Sequence, residues 1–190
     1  WDLDFAFADI VATSSDPRLG AIRMAWWRER FEDLDRGEEP PPEPRLQGAS
    51  DLLLTGVTGA ELAQLEDAWL PLLDPFPWGE RQVEGLRLRG RILFSLGARL
   101  LDADSASLDS AGELWSLVDG AHHCSDAASR AMLLDEGKRL VPSLRTAPSS
   151  ALRPLTTLAA LAAHDALGRG GGVRRGWAAL AHRYWGRLPR

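Results

Sequence analysis

The segment that begins at Asp16 constrains the fold of this chain most strongly, because it has a clear helix start and a dense run of helix-forming residues. The Asp16 carboxylate can accept hydrogen bonds from the unpaired amides of a first helical turn. Pro17 suits the first helical position, where its missing N–H would have no partner anyway. Gly37 is a typical stop residue. We therefore predict a helix from Pro17 to about Arg36.

The apolar residues of this helix recur at helical spacing, which indicates that one face packs against other parts of the protein. Leu19, Ile22 and Trp26 share a face. Both members of the adjacent tryptophan pair are expected to fill the core or a groove, because indole rings bury a large apolar area. Three further residues lie beside that face: Arg23, Trp27 and Arg28.

Helical periodicity continues along the rest of the chain, and no stretch shows a sustained period of two. We predict one all-α domain over 1–190, with seven or eight helices around a single core. The segments 37–50 and 137–148 are expected to be irregular, and 168–172 to be a flexible connector. A short helix, or alternatively a strand, is expected at 51–57. The other predicted helices cover 1–13, 58–72, 80–101, 109–121, 126–134, 149–167 and 173–186.

Three glycines lie inside the long predicted helix 80–101: Gly85, Gly90 and Gly97. Each lowers intrinsic helix stability by about 1 kcal/mol relative to alanine. Glycines in such positions either let a second helix approach closely or leave clearance for a ligand, and the sequence does not decide between the two.

Composition narrows the functional classes. The net charge of −5 gives no electrostatic reason to expect nucleic acid. Cys124 is the single cysteine, so no internal disulfide exists, and a reducing, cytoplasmic location is expected. No apolar run reaches the length of a membrane span, which leaves peripheral membrane contact open. The chain begins at Trp1 and not at Met, so we expect its natural N-terminus to have been trimmed.

The stretch Leu19 to Glu29, which reads Leu-Gly-Ala-Ile-Arg-Met-Ala-Trp-Trp-Arg-Glu, resembles a motif of the squalene/phytoene synthase family. There a helix of the form R-L-x-W-W-R-E follows the first aspartate-rich helix. The resemblance is specific over about Ser15 to Gly37 and is closest to a short, divergent branch, which includes proteins thought to assist assembly of respiratory complex I. It implies an isoprenoid synthase-like helical bundle around a central cavity.

Active members of that family join two prenyl diphosphates head to head, with Mg²⁺ held between two aspartate-rich motifs. Carboxylates at i and i+4 suit this chemistry because they point from one helical face towards the same cation. The aspartates in the two corresponding regions of this chain lack that spacing. The nearest acids in the first region are Asp2, Asp4 and Asp9, and those in the second are Asp119 and Asp126. No metal or cofactor is therefore predicted; Mg²⁺ would be needed only by an active enzyme, with Asp2, Asp9, Asp119 and Asp126 as candidate ligands.

Other polar groupings favour structural over chemical interpretations. Asp119 with His123, and His122 with Asp126, form i,i+4 pairs that a transition metal could use, but neighbouring histidines point in different directions on a helix. Cys124 is expected to be a small buried residue. The pair Glu29 and Asp33 could hold a cation, although a charged face paired with Arg28, Arg30 and Arg36 is favoured.

The leading functional hypothesis is a non-catalytic relative of these synthases that binds a prenyl or lipid-like ligand or a protein partner. Arg23, Trp27 and Arg28 are the predicted ligand-binding residues. One alternative is an active Mg²⁺-dependent head-to-head prenyltransferase. The other is a helical protein-interaction module whose core is filled by side chains.

Overall fold

The computed structural model describes residues 1–105, 108–144, 149–169 and 171–186. Across these ranges the protein is all-α, as predicted, with nine α-helices and no strand. The described ranges contain no helix that is both long enough and apolar enough to cross a bilayer. The helices are α1 (Asp2–Thr13), α2 (Pro17–Asp35), α3 (Pro44–Leu53), α4 (Gly59–Trp69), α5 (Glu80–Leu100), α6 (Asp109–His123), α7 (Ala127–Leu140), α8 (Arg153–Ala166) and α9 (Val173–Trp185).

The chain divides into two compact units, 1–75 and 76–190. The prediction of a single domain over 1–190 stays a prediction. In the first unit α2 packs chiefly on α4, with α1 and α3 against the same core. The Asp35 carboxylate at the end of α2 accepts hydrogen bonds from Gly59 N at 2.6 Å and Ala60 N at 2.8 Å, which joins the end of one helix to the start of the next. The core side chains include Phe7, Met24, Phe31, Leu46, Leu62 and Leu65.

In the second unit α6 is central and packs against α5, α7 and α8. One cluster of buried residues joins Phe94 of α5 to Leu155 and Ala159 of α8. A second joins Leu114 and Val118 of α6 to α8. Among the described helices, α9 packs substantially against α8 only.

The predicted cap of α2 is confirmed, and α4 and α7 also begin at capping side chains. Asp16 accepts a hydrogen bond from Arg18 N at 2.8 Å. Thr58 and Glu61 form a reciprocal capping box. Asp126 accepts from Ser129 N at 2.8 Å. α6 begins at Asp109 without a side-chain cap. Capping side chains therefore set the start of four of the nine described α-helices, namely α2, α3, α4 and α7.

The predicted burial of α2 is wrong for one of its two apolar faces. Leu19, Ile22 and Trp26 are 58%, 66% and 40% exposed. The buried face carries apolar residues at alternating spacings of four and three, which continue along the whole helix. The exposed stripe ends after two turns at Arg30, so the longer stripe buries more apolar surface. The buried stripe is Gly20, Met24, Trp27, Phe31 and Leu34.

Two segments predicted to be irregular are partly helical. α3 begins at Pro44, inside the proline-rich stretch, because Glu43 caps Leu46 N at 2.8 Å and proline suits the first turn. α7 continues to Leu140, beyond the predicted break at Gly137. Two predictions fall partly outside the described residues. Position 170 belongs to the predicted connector at 168–172, and positions 145–148 belong to the segment 137–148, which was predicted to be irregular.

The surroundings of two α5 glycines show whether they allow close helix approach or leave clearance for a ligand. A Cβ built on Gly90 would collide with the backbone of Gly112 in α6, and a Cβ on Gly112 would collide with Gly90. Gly97 faces the Leu155 side chain, 2.9 Å from where its Cβ would be. Gly90 and Gly97 therefore serve close packing.

Candidate functional site

The structure separates the three residues predicted to bind a ligand. Trp27 is buried, with its ring centroid 6.3 Å from that of Phe7 and 5.8 Å from that of Phe31. Arg23 is exposed, and its guanidinium donates to Thr13 Oγ1 at 3.1 Å. Arg28 lies on the α4 side of α2 and pairs with two carboxylates. These three side chains therefore do not form one site.

Arg28 is held by the first unit's own acids. Its Nε hydrogen-bonds to the mostly buried Glu66 carboxylate, and its second terminal nitrogen lies 2.6 Å from Asp67 Oδ1. The Glu66 hydrogen bond raises the pKa of the Arg28 guanidinium above its ordinary value, although partial burial opposes this shift. An anionic ligand at Arg28 would have to compete with both carboxylates.

Leu19, Ile22, Arg23 and Trp26 form what we call the outer α2 face. The Trp26 ring meets Trp27 edge-on, with centroids 5.3 Å apart, so the buried tryptophan orients the exposed one. Among the described residues, Arg23 forms an ion pair with no carboxylate. The face thus combines exposed apolar side chains with a cation that is available to an anion, the combination that an amphiphile with a negative head group needs. Sequence reasoning missed this face because it assigned the same stripe to the core.

The carboxylates considered as metal ligands have other partners or stand alone. Asp9 lies 3.5 Å from Arg45, and Asp119 receives Arg89 at 2.8 Å. The Asp126 carboxyl accepts from the Ser129 hydroxyl at 2.7 Å and from its amide, which together lower the pKa of Asp126 below its ordinary value. Asp2 is exposed at the start of α1.

Asp4 is the notable acid that pattern reasoning did not single out. It is almost fully buried, and its Oδ1 accepts a hydrogen bond from Trp69 Nε1 at 2.9 Å. A carboxylate surrounded by apolar neighbours in the sequence gave no signal of this pairing, because its partner lies 65 positions away.

The two histidines of α6 point to different neighbours, as expected from helix geometry. His123 Nδ1 lies 2.9 Å from the carbonyl oxygen of Asp119. His122 turns towards α8, with Nε2 3.9 Å from Asp165 Oδ2. Within the described ranges, no group of three or more His, Cys, Asp and Glu side chains is gathered closely enough to hold a metal ion. Cys124 is buried.

A polar cleft lies between α6, α8 and the first turn of α9. Its inner part has a volume of about 80 Å³ and opens into a groove lined by His122, Asp165, Gly168 and Arg175. Arg175 Nε donates to both Asp165 oxygens at 3.1 Å, so the main charges in the groove offset each other. Small-molecule sites usually have volumes of about 300–1,000 Å³, so the inner cleft is too small for a prenyl chain.

At the floor of this region, the buried Arg89 guanidinium stacks over Trp115 at 4.7 Å from the ring centroid and reaches Asp119. Arg89 occupies a position in the apolar stripe of α5, which is the sequence signal for a buried arginine that has an internal partner. Its role is to fix α5 on α6.

No protein-family model matches this chain, and neither a curated protein nor a solved structure matches it. The resemblance to squalene/phytoene synthases therefore rests on this chain's own sequence, chiefly on the residues around the tryptophan pair.

Proposed function

We propose that this chain is a squalene/phytoene synthase-like protein of the cytoplasm that binds a prenyl or other lipid-like molecule without converting it. In this proposal the fold is an isoprenoid synthase-like bundle. The observation that carries the proposal is the outer α2 face, where exposed Ile22 and Trp26 lie beside Arg23, which forms an ion pair with no carboxylate among the described residues. The apolar side chains would contact the hydrocarbon tail and the guanidinium the anionic head group.

The partners of the acids support binding without turnover. Mg²⁺-assisted loss of diphosphate needs several carboxylates that share one cation. Asp9 and Asp119 are paired with arginines, and Asp126 caps a helix. A cation would have to displace these partners before it could bind.

A binding experiment tests the site. The wild-type chain is titrated with farnesyl diphosphate without Mg²⁺ and followed by calorimetry. A contact that buries about 50 Å² more of the Trp26 ring contributes about 1.2 kcal/mol, so Trp26→Ser should weaken binding about tenfold. Arg23→Gln should weaken binding of farnesyl diphosphate and leave farnesol binding unchanged.

The matched control is Leu54→Ser, which removes an 87%-exposed apolar side chain from the same unit and should leave binding unchanged. Absence of saturable binding by the wild type would refute the lipid-like ligand.

A second experiment tests the absence of turnover. Farnesyl or geranylgeranyl diphosphate is incubated with the protein and Mg²⁺, and released diphosphate is measured. We expect no release above the protein-free rate. Release that disappears in Asp2→Ala or Asp9→Ala, but persists in the exposed-acid control Asp51→Ala, would establish the prenyltransferase alternative instead.

The shape of the outer α2 face favours one second candidate, the protein-interaction module. Leu19, Ile22 and Trp26 project from a helix surface at spacings of three and four, the pattern by which a helix packs against an apolar groove of another protein. Failure of the wild type to bind both farnesyl diphosphate and farnesol would favour this candidate over lipid binding.

A further inference from the structure

Helix α9 is amphipathic, but its apolar face is exposed, whereas a core helix buries its apolar face. Val173, Trp177, Leu180 and Tyr184 follow one another at spacings of four, three and four, so they fall within a sector of about 60°. These side chains are 77%, 62%, 45% and 66% exposed. The opposite face carries His182, which is buried. The apolar stripe of this helix therefore points away from the second unit.

Polar contacts hold α9 in this orientation. His182 Nε2 lies 2.7 Å from Thr156 Oγ1 on α8, where both side chains are buried. Arg153, also on α8, donates to the carbonyl oxygen of Arg183 at 2.8 Å. Because the anchors are hydrogen bonds to specific atoms, the helix cannot turn its aromatic stripe inward without breaking them.

The charge of the same region is strongly asymmetric. The chain as a whole has 22 Lys and Arg against 27 Asp and Glu. Six of the cations and none of the acids lie beyond Asp165, which leaves 16 cations against 27 acids in the residues up to that point. Arg174 and Arg183 flank the stripe and, within the described ranges, form an ion pair with no carboxylate. The arginines after Asp165 are Arg169, Arg174, Arg175, Arg183, Arg187 and Arg190.

The length of α9 limits how it could meet a lipid bilayer. Its 13 residues span about 20 Å, whereas the hydrocarbon core of a bilayer is about 30 Å thick. It could therefore lie along a membrane surface and not cross it. Tryptophan and tyrosine favour this interfacial depth, where the ring is in an apolar environment and its polar atom stays hydrated.

From these observations we propose that α9 is an interfacial helix that docks the second unit on a membrane rich in anionic lipids. Val173, Trp177, Leu180 and Tyr184 enter the boundary between head groups and acyl chains, and the flanking arginines bind the lipid phosphates. Charge complementarity decides for this occupant. The sequence after Asp165 contains arginines and no acid, and although Arg175 pairs with Asp165, Arg174 and Arg183 beside the stripe remain available to a negatively charged surface. The site lies on a different helix and in a different unit from the outer α2 face.

The test uses the full chain and two vesicle preparations, phosphatidylcholine alone and phosphatidylcholine with phosphatidylserine. Co-sedimentation should show binding to the mixed vesicles that is at least about tenfold tighter than to the neutral ones, and that weakens as salt is raised. Replacing the two aromatic residues of the stripe, Trp177→Ser with Tyr184→Ser, should weaken binding to the mixed vesicles by about tenfold or more. Replacing Arg174→Gln with Arg183→Gln should abolish the difference between the two preparations.

The matched control is Leu54→Ser with Leu100→Ser, which removes two exposed apolar residues that lie outside both α9 and the outer α2 face and should leave vesicle binding unchanged. Since all the replaced side chains are exposed, each variant should keep the wild-type circular dichroism and unfolding midpoint.

Equal binding to both vesicle types, binding that survives loss of Trp177 and Tyr184, or equal loss in the control would overturn the proposal. A protein that stays in the supernatant with both preparations would also overturn it, and would direct attention to an acidic protein or a nucleic acid. Farnesyl diphosphate binding by the α9 variants should equal that of the wild type, so the two proposals can fail separately.

Discussion

The crossing of α5 and α6 gives the sharpest test of how the second unit is held together. Gly90 and Gly112 lie where the two backbones meet without an intervening side chain. In an exposed helix, Gly→Ala usually stabilises a protein by about 1 kcal/mol, because alanine restricts the unfolded chain and favours the helix. At position 90 we expect the same substitution to destabilise the protein.

The magnitude follows from the separation that an added methyl group requires. A Cβ at position 90 would lie 2.8 Å from the Glu113 amide nitrogen and nearer still to the Gly112 carbonyl group, whereas ordinary contact begins near 3.4 Å. The helices must then move apart by about 1 Å, a gap that forfeits about a quarter to a half of the dispersion attraction across it. Overpacking ordinarily costs about 1–3 kcal/mol, and backbone atoms cannot rotate aside, so we expect about 3 kcal/mol for Gly90→Ala.

Urea and thermal unfolding, followed by circular dichroism, measure this effect. A loss of about 3 kcal/mol corresponds to a fall of about 10 °C in the midpoint for a unit of this size. Gly176→Ala on α9 is the matched control, because nothing lies within 4 Å of its added Cβ, and it should stabilise the protein slightly. The reasoning is refuted if Gly90→Ala unfolds at or above the wild-type midpoint, or if both variants shift in the same direction.

Two further predictions concern named hydrogen bonds. Trp69→Phe removes the indole donor to buried Asp4 and should lower the free energy of unfolding in urea by about 1–3 kcal/mol. The control Trp26→Phe should change the free energy of unfolding little. Equal effects of the two substitutions would contradict the importance of the bond. Because the pKa of the Asp126 carboxyl is lowered in the folded protein, its stabilising contribution is present above the ordinary aspartate pKa of about 3.9 and is lost as pH falls through the folded value. The stability difference between wild type and Asp126→Asn should therefore shrink on acidification, and a constant difference between pH 7 and pH 3 would show that the charge on Asp126 is not responsible.

The features that sequence predicted well are those decided within one helical turn. Asp16, Thr58 and Asp126 cap helices through amides two or three positions away, so their role is visible in the sequence. The start of α3 is equally local, yet Pro44 was interpreted as part of a loop because a proline-rich stretch conceals the one proline that suits a first turn.

The orientation of a helix depends on residues far away in the chain, and there the sequence was a weaker guide. α2 has two apolar stripes, and only the packing of the other helices of the first unit decides that Trp27 is buried while Trp26 is exposed. In α9 the stripe is unmistakable, but periodicity cannot tell whether it faces a core or the outside.

The candidate site shows the same limit. Arg23 and Arg28 have the same chemistry and lie five positions apart on one helix, but Arg28 faces Glu66 and Asp67 while Arg23 has an available guanidinium. The motif that predicted both as ligand-binding residues contains no information about α4, and so could not separate them.

The paired glycines at 90 and 112 also restrict how this protein can change over evolutionary time. In most cores a larger residue at one position can be offset by a smaller residue at its neighbour. Here each neighbour is already glycine, and no smaller residue exists. Neither position can therefore rescue a substitution at the other, and any accepted change must move an entire helix. In the second unit, amino-acid substitutions should therefore accumulate most slowly at this crossing, even where the surrounding positions accept substitutions freely.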